Sequence, residues 1–146
     1  TVVENREFLY YLPERLGEFD WDEFEDLKGY VFGLVSGYTY SKPFTQALQE
    51  YGYTVLYSTD SERSLHLLMA GRVDFIVDDE LLMGPRLDKY PIWKAMVHPV
   101  GKPISFNSYR MGISRLSPLA ERVDEINQAL ASMREDGSLE AILERR

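Results

Sequence analysis

Residues 27–46, Leu-Lys-Gly-Tyr-Val-Phe-Gly-Leu-Val-Ser-Gly-Tyr-Thr-Tyr-Ser-Lys-Pro-Phe-Thr-Gln, constrain the fold more than any other stretch of the chain. Residues 30–35 are a short apolar run of bulky side chains, which reads as a buried strand. Ser36-Gly37 breaks the run. Ser41 is a good helix N-cap, and Pro43 falls in the first turn, where its missing N–H costs nothing. Phe44, Ala47, Leu48 and Tyr51 follow at helical spacing, and Gly52 ends the helix. The loop over residues 36–40 therefore sets backbone N–H groups at the positive end of a helix, an arrangement suited to a carboxylate or phosphate. The same pattern also describes a tight strand-to-helix turn with no ligand.

The rest of the chain continues in this alternation. Residues 7–12 read as a strand that Pro13 stops. Residues 14–26 are acidic, a surface segment ending in a short helix, with Phe19, Trp21 and Phe24 as packing anchors rather than ligand platforms. Residues 53–57 form a second strand in this reading. Thr59-Asp60-Ser61-Glu62 resembles a capping box ahead of a helix over 61–70, which turns Leu65, Leu68 and Met69 inward and closes at Gly71. A third strand over 73–77 runs into Asp78, Asp79 and Glu80 at the start of a helix over 81–87, interrupted by Gly84-Pro85. Residues 93–98 read as a fourth strand, 99–103 as a loop and 106–114 as a fifth strand. Ser117-Pro118 opens the clearest helix, whose Leu119, Val123, Ile126, Leu130 and Met133 make one apolar stripe up to the stop at Gly137. Ser138 then caps a short helix with Leu139, Ile142 and Leu143 on one face.

Bulk properties narrow the function. A chain of 146 residues is one domain, or one large piece of a two-lobed protein. Its net charge of −8 argues against nucleic acid as a partner, since phosphate contacts need clustered Lys and Arg. The absence of cysteine excludes disulfides, Cys-ligated zinc and thiol catalysis, without excluding any compartment. No apolar run is long enough to span a bilayer. The chain opens at Thr1-Val2-Val3-Glu4 with no visible signal peptide, as expected of a processed or trimmed product.

Catalytic readings find little support. His66 and His98 lack ligand spacing and read as packing or surface residues. Asp78, Asp79 and Glu80 could ligate a metal or act as acid and base, but three acids at a helix start are more simply explained by the helix dipole. The Gly37 loop has no Gly-Lys-Ser/Thr for a P-loop and lacks dinucleotide glycine spacing. A receiver domain, suggested by Lys102-Pro103, needs an acidic pair after its first strand, which Ser36-Gly37-Tyr38 does not provide. No catalytic residue, cofactor or metal is expected.

Alternating strands and helices predict a five-strand mixed sheet, mainly parallel and covered on both faces, with ligands beyond the carboxyl ends of the strands. If the first and third apolar strands are neighbours, the loop over 36–41 and Asp78-Asp79 converge. N–H donors then face a carboxylate, a pair complementary to a zwitterion.

At this point the residues resemble the family 3 bacterial extracellular solute-binding proteins, the polar amino-acid receptors of ABC importers. Leu27-Lys28-Gly29-Tyr30-Val31-Phe32-Gly33 is similar to the family's "dLkGkkvGv" strand, and Gly37-Tyr38-Thr39 lies where Gly-Thr-Thr is usual. Ala70-Gly71-Arg72-Val73-Asp74, with Asp79 five residues on, is similar to "aGrvDavvaD". Residues 127–143 are similar to "iNkaLaelkadGtlakI". Together these fragments, in order, imply a type II periplasmic-binding-protein-like lobe.

The resemblance also implies roles. Thr39 matches the position whose backbone N–H binds the ligand carboxylate, and Asp79 the aspartate that takes its α-amino group. With Gly37, Tyr38, Tyr40 and Asp78 they make the expected ligand-binding set. Asp74 matches a structural position. Tyr38 departs from the usual small Thr, which implies a differently shaped pocket or another kind of solute. By resemblance, residues 1–12 are an incoming hinge strand and 13–108 the second ligand-binding lobe. Residues 109–146 are a return strand and helices that would pack on a first lobe absent here, along with that lobe's carboxylate-clamping arginine. The implied function is binding of a small polar solute, an amino acid or related amine or carboxylate compound, in the periplasm for an ABC importer. The implied partners are the solute and the transporter's membrane subunits, with self-association through the surface left by the missing lobe. A sensor-kinase input domain and, as a minor alternative, a dehydratase-like enzyme of the same superfamily stay open.

Overall fold

The sheet is mixed, as expected, and the incoming strand gives it as many antiparallel as parallel pairings among those described. The computed structural model describes residues 2–143. The chain begins with β1 (Val3–Tyr11), α1 (Pro13–Leu16) and a 3-10 turn (Phe24–Leu27). It continues through β2 (Val31–Val35), α2 (Lys42–Glu50), β3 (Thr54–Ser58), α3 (Ser61–Met69) and β4 (Phe75–Asp79). Next come α4 (Glu80–Leu87), α5 (Pro91–Met96), β5 (His98–Pro99) and β6 (Ser105–Tyr109). A second 3-10 turn (Pro118–Arg122), α6 (Val123–Glu135) and α7 (Ser138–Leu143) complete it.

The sheet has six strands, in the order β3-β2-β4-β1-β5, with β6 also paired to β1. Strand β2 runs parallel to β3 and β4, whereas β1 is antiparallel to β4 and β5. The α/β class and the helices on both faces agree with the sequence reading. The count of five and the mainly parallel sheet do not, because β1 enters from the opposite direction and β5 is a separate short strand.

Contacts divide the chain into two compact units. One is Asn5–Asn107, and the other joins the residues before Asn5 to those after Asn107. In the first unit the sheet separates two apolar layers. On one face Leu9, Tyr11, Phe32, Leu34, Phe75 and Val77 meet Phe44 and Ala47 of α2. Here Phe32 stacks on Tyr53 at 4.9 Å between ring centroids. On the other face Phe8, Tyr10 and Ile76 meet Leu65 and Leu68 of α3 and Met83 and Leu87 of α4. Full burial of one such side chain stabilises the fold by about 1.5–3 kcal/mol. Gly33 is required where β2 passes β4: an added Cβ would lie 2.9 Å from Ile76 Cγ2 and 3.2 Å from Val73 Cγ2.

Five local readings need correction. Residues 93–97 are not a strand, and only His98 of that stretch pairs in the sheet, as the first residue of β5. Pro91 sits in the first turn of α5, and Trp93, Met96 and Val97 cover the second core layer. Helix α4 runs through Gly84-Pro85 without a break. The third apolar strand is displaced to Phe75–Asp79, so both aspartates belong to the strand. The stripe helix begins as a 3-10 turn capped by Ser117, and Ser138 is the first residue of α7, its N–H bound by Asp136 Oδ1 at 2.8 Å. Leu119 and Val123 of the stripe are exposed, and Ile126, Leu130 and Met133 half-buried. Among the described residues no helix is long and apolar enough to cross a membrane.

Candidate functional site

The parallel pairing of β2 with β3 and β4 brings their carboxyl ends to one edge. Val35 is level with Ser58, and Gly33 with Ile76, so continuing the latter register sets Val35 beside Asp78. The loop after β2 and the end of β4 are therefore neighbours. Within the loop, Gly37 takes φ +80°, a left-handed conformation that glycine adopts without a steric cost. Ser36, Gly37, Tyr38 and Thr39 are exposed. Ser41 caps α2, its Oγ accepting the Phe44 N–H.

The two loop tyrosines differ. Tyr38 is 55% exposed. Tyr40 packs edge-on against Phe44, and its hydroxyl accepts the Val35 N–H at 2.7 Å, so it ties the loop back to its own strand. Burial pushes the Tyr40 phenol up to about 12; the Val35 N–H opposes this, and the charges of Asp78 and Glu7 add to it.

Asp78 and Asp79 are both buried, and they face opposite ways because successive strand residues do. Asp78 lies on the face of Ile76, where it forms an ion pair with Arg86 of α4 and accepts the Asp79 N–H at 2.8 Å. Burial raises its carboxyl above the usual range, against the pull of the Arg86 guanidinium and the Asp79 N–H. This differs from the sequence picture of Asp78 as a residue at a helix start. Asp79 lies on the face of Phe75 and Val77, where Oδ1 accepts the Leu81 N–H at 2.8 Å and so caps α4. Asp74, away from this edge, accepts the Val31 N–H at 2.8 Å and approaches Arg15.

One acidic residue at this edge escaped sequence reading. Glu7 of β1 is the direct antiparallel partner of Asp79, and it accepts a hydrogen bond from the Ser105 hydroxyl. Nothing local in the sequence marks it, because the pairing exists only once β1 docks on β4. The two histidines are apart: His66 meets Trp93 edge-on at 4.8 Å, and His98 lies in β5.

No protein-family profile matches the chain, and no curated protein does. Solved structures do match. An ancestral arginine-binding protein bound to arginine is 26% identical, with a TM-score of 0.67 over 99% of this chain and 61% of its own. The second substrate-binding domain of a putative amino acid ABC transporter from Streptococcus pneumoniae is 25% identical, with a TM-score of 0.58 over 97% of this chain and 60% of its own. A histidine kinase sensor domain with similarity to periplasmic binding proteins is 19% identical, with a TM-score of 0.66 over 97% and 58%. This last likeness bears on the fold alone. The chain thus spans about three fifths of the length of the solved chains it matches.

Proposed function

From the premise that this chain is a lobe of the family 3 solute-binding type, we propose that it binds a small polar solute outside the cytoplasm, for delivery to an ABC importer. The solute is an amino acid or a related amine or carboxylate compound. The observation that supports this most is the edge shared by β2 and β4. There the exposed loop at residues 36–39 meets the end of α2, and Asp79 ends the neighbouring strand. A solute carboxylate is received by loop N–H groups at the helix end, and its ammonium by Asp79. Gly37, Tyr38, Thr39 and Tyr40 line the loop side of the site, and Asp78 orients Asp79 from behind through its N–H. The site holds its solute without a chemical step. Contacts on one lobe leave half the solute in water, so the chain binds weakly by itself.

A titration of the isotope-labelled chain with amino acids, followed by amide NMR shifts, tests this. Shifts confined to residues 36–41 and 78–81, with the solute recovered unchanged, are expected. Asp79→Asn should weaken an amine-bearing solute about tenfold, the loss of one charge-assisted contact. The absence of shifts at millimolar solute would remove the binding reading.

The sensor-kinase alternative left open by the sequence resemblance is a second reading, in which the same solute site signals to a membrane partner. The coding sequence decides between them: a downstream membrane helix and kinase go with the sensor, an upstream first lobe with the transporter.

A further inference from the structure

The ladder between β2 and β4 stops early. The two strands pair at Phe32↔Phe75 and Gly33↔Ile76, yet β2 runs on to Val35 and β4 to Asp79. On its other side β2 stays paired to its end, with Val35 level with Ser58 and the Ser36 N–H on the Ser58 carbonyl at 2.9 Å. The stop is therefore not the end of a strand. Backbone groups of successive strand residues turn to alternate neighbours, so with Ser36 turned to β3, Val35 turns to β4. In a parallel ladder continued from Gly33, the Val35 N–H would go to the Val77 carbonyl and the Asp79 N–H to the Val35 carbonyl. Other bonds take these groups instead. The Tyr40 hydroxyl accepts the Val35 N–H at 2.7 Å, the Asp78 carboxylate accepts the Asp79 N–H at 2.8 Å, and the Val35 carbonyl accepts the Tyr38 N–H at 3.3 Å. Each strand end is thus satisfied by its own neighbouring residues and has no need of the other. Because the Val35 N–H points toward β4, the phenol oxygen that receives it sits between the two strand ends. The half-buried Tyr40 ring is held there by Phe44, 6.0 Å away between centroids.

We propose that Tyr40 is a positioning residue that keeps β2 and β4 parted at their carboxyl ends, and so holds the loop over 36–39 open to a solute. The proposal rests on solute binding at this edge. The phenol acts in two ways. Its hydroxyl stands in for the Val77 carbonyl as the acceptor of the Val35 N–H. Its ring, propped on Phe44, fills the space into which the strand ends would otherwise zip. If the ladder closed by one more pair, the Val35 carbonyl would pass from the Tyr38 N–H to the Asp79 N–H. The turn at Ser36-Gly37 would then lose its closing bond, and the N–H groups ahead of α2 would leave the place where a solute carboxylate meets them.

The test is amide hydrogen exchange by NMR, together with titration of glycine and the common L-amino acids one at a time. Tyr40→Phe keeps the ring and removes the acceptor. Exchange at Val35 is expected to quicken about tenfold beyond any change shared by Phe32 and Leu34, whose N–H groups turn to β3. Affinity for the amino acid that binds the wild type most tightly is expected to fall about fivefold. Tyr40→Ala removes the ring as well, so the strand ends are expected to close. Val35 then regains its protection on the Val77 carbonyl while affinity falls further. A residue that only supports the fold would quicken Phe32, Leu34 and Val35 together, which overturns the proposal. Unchanged Val35 exchange in Tyr40→Phe, or full affinity despite faster exchange, overturns it too, as does a Tyr40→Ala protein whose Val35 stays unprotected. A wild type that binds none of these amino acids removes the binding reading and the role in solute binding with it, whereas the exchange pattern decides the parting of the strands by itself.

Discussion

Replacing Arg86 with methionine removes the cation from the buried pair with Asp78 and keeps most of the side-chain volume. The Arg86 side chain is 15% exposed and that of Asp78 6%, so water does little of the screening. Removing one partner of a buried pair costs about 3–5 kcal/mol, because the other charge is left without compensation. We expect the lower end, about 3 kcal/mol at neutral pH, since Asp78 still accepts the Asp79 N–H. The loss must depend on pH. Burial already raises the Asp78 carboxyl, and without Arg86 that rise goes unopposed by a cation. A raised carboxyl binds its proton more tightly in the folded chain than in the unfolded one. Stability therefore grows as the pH falls through the folded value, and the ionised form carries the penalty above it. Urea unfolding of wild type and Arg86→Met, at neutral pH and again toward the carboxylate range, measures this. The deficit should shrink in acid, and Asp78→Asn added to Arg86→Met should recover much of it at neutral pH. A deficit below about 1 kcal/mol, or one that is the same at both pH values, would refute the claim that the ion pair compensates a buried charge.

Three further outcomes are expected. Gly33→Ala should destabilise the protein by about 1–3 kcal/mol in urea unfolding, since the new Cβ meets Ile76 at 2.9 Å; an unchanged midpoint would show that β2 and β4 can spread apart. The Tyr40 phenol is raised by burial to about 12, so its contribution to stability is complete below the unfolded value of about 10 and is lost as the pH rises through about 12. Tyr40→Phe should flatten part of that alkaline decline, and a variant with an unchanged slope would locate the effect elsewhere. Leu119→Ser combined with Val123→Ser, at positions 47% and 40% exposed, should leave stability within about 0.5 kcal/mol and abolish self-association in sedimentation. Equal sedimentation of both proteins as monomers at high concentration would remove the stripe as an association surface.

What the sequence revealed and what it concealed divide along physical lines. The stretch from Val31 to Glu50 was legible because every signal in it is local: an apolar run, a glycine at positive φ, a Ser cap with proline behind it. Residues 93–98 misled because Trp93, Ala95 and Val97 alternate with Lys94 and His98 as a strand would. The helix start at Pro91 was a weaker cue that tertiary packing made decisive. The boundary at Asp78 was misplaced for a related reason. Two acids after an apolar run look like a helix start, and only Arg86, eight positions on, makes a buried strand carboxylate tolerable. Tyr40 and Asp79 could be nominated from spacing and family likeness. Glu7 could not, because its partner is chosen by an antiparallel register between segments more than seventy residues apart.

The pairing of β1 with β6 also bears on the order of folding. Asn5–Asn107 is one uninterrupted unit, while the other is made from both ends of the chain. Each unit holds its own two segments together, the Ile104 N–H donating to the Glu7 carbonyl within Asn5–Asn107 and the Val2 N–H to the Tyr109 carbonyl within the other. Bringing two segments together across a loop of about a hundred residues costs about 4 kcal/mol of chain entropy when the loop is disordered. Once Asn5–Asn107 has folded, that entropy is already lost, because its ends are held side by side. The terminal unit can then assemble as though its two segments were consecutive, so it depends on the inserted unit for its existence. Residues 5–107 have no reciprocal need: they carry their own sheet and both of its apolar layers.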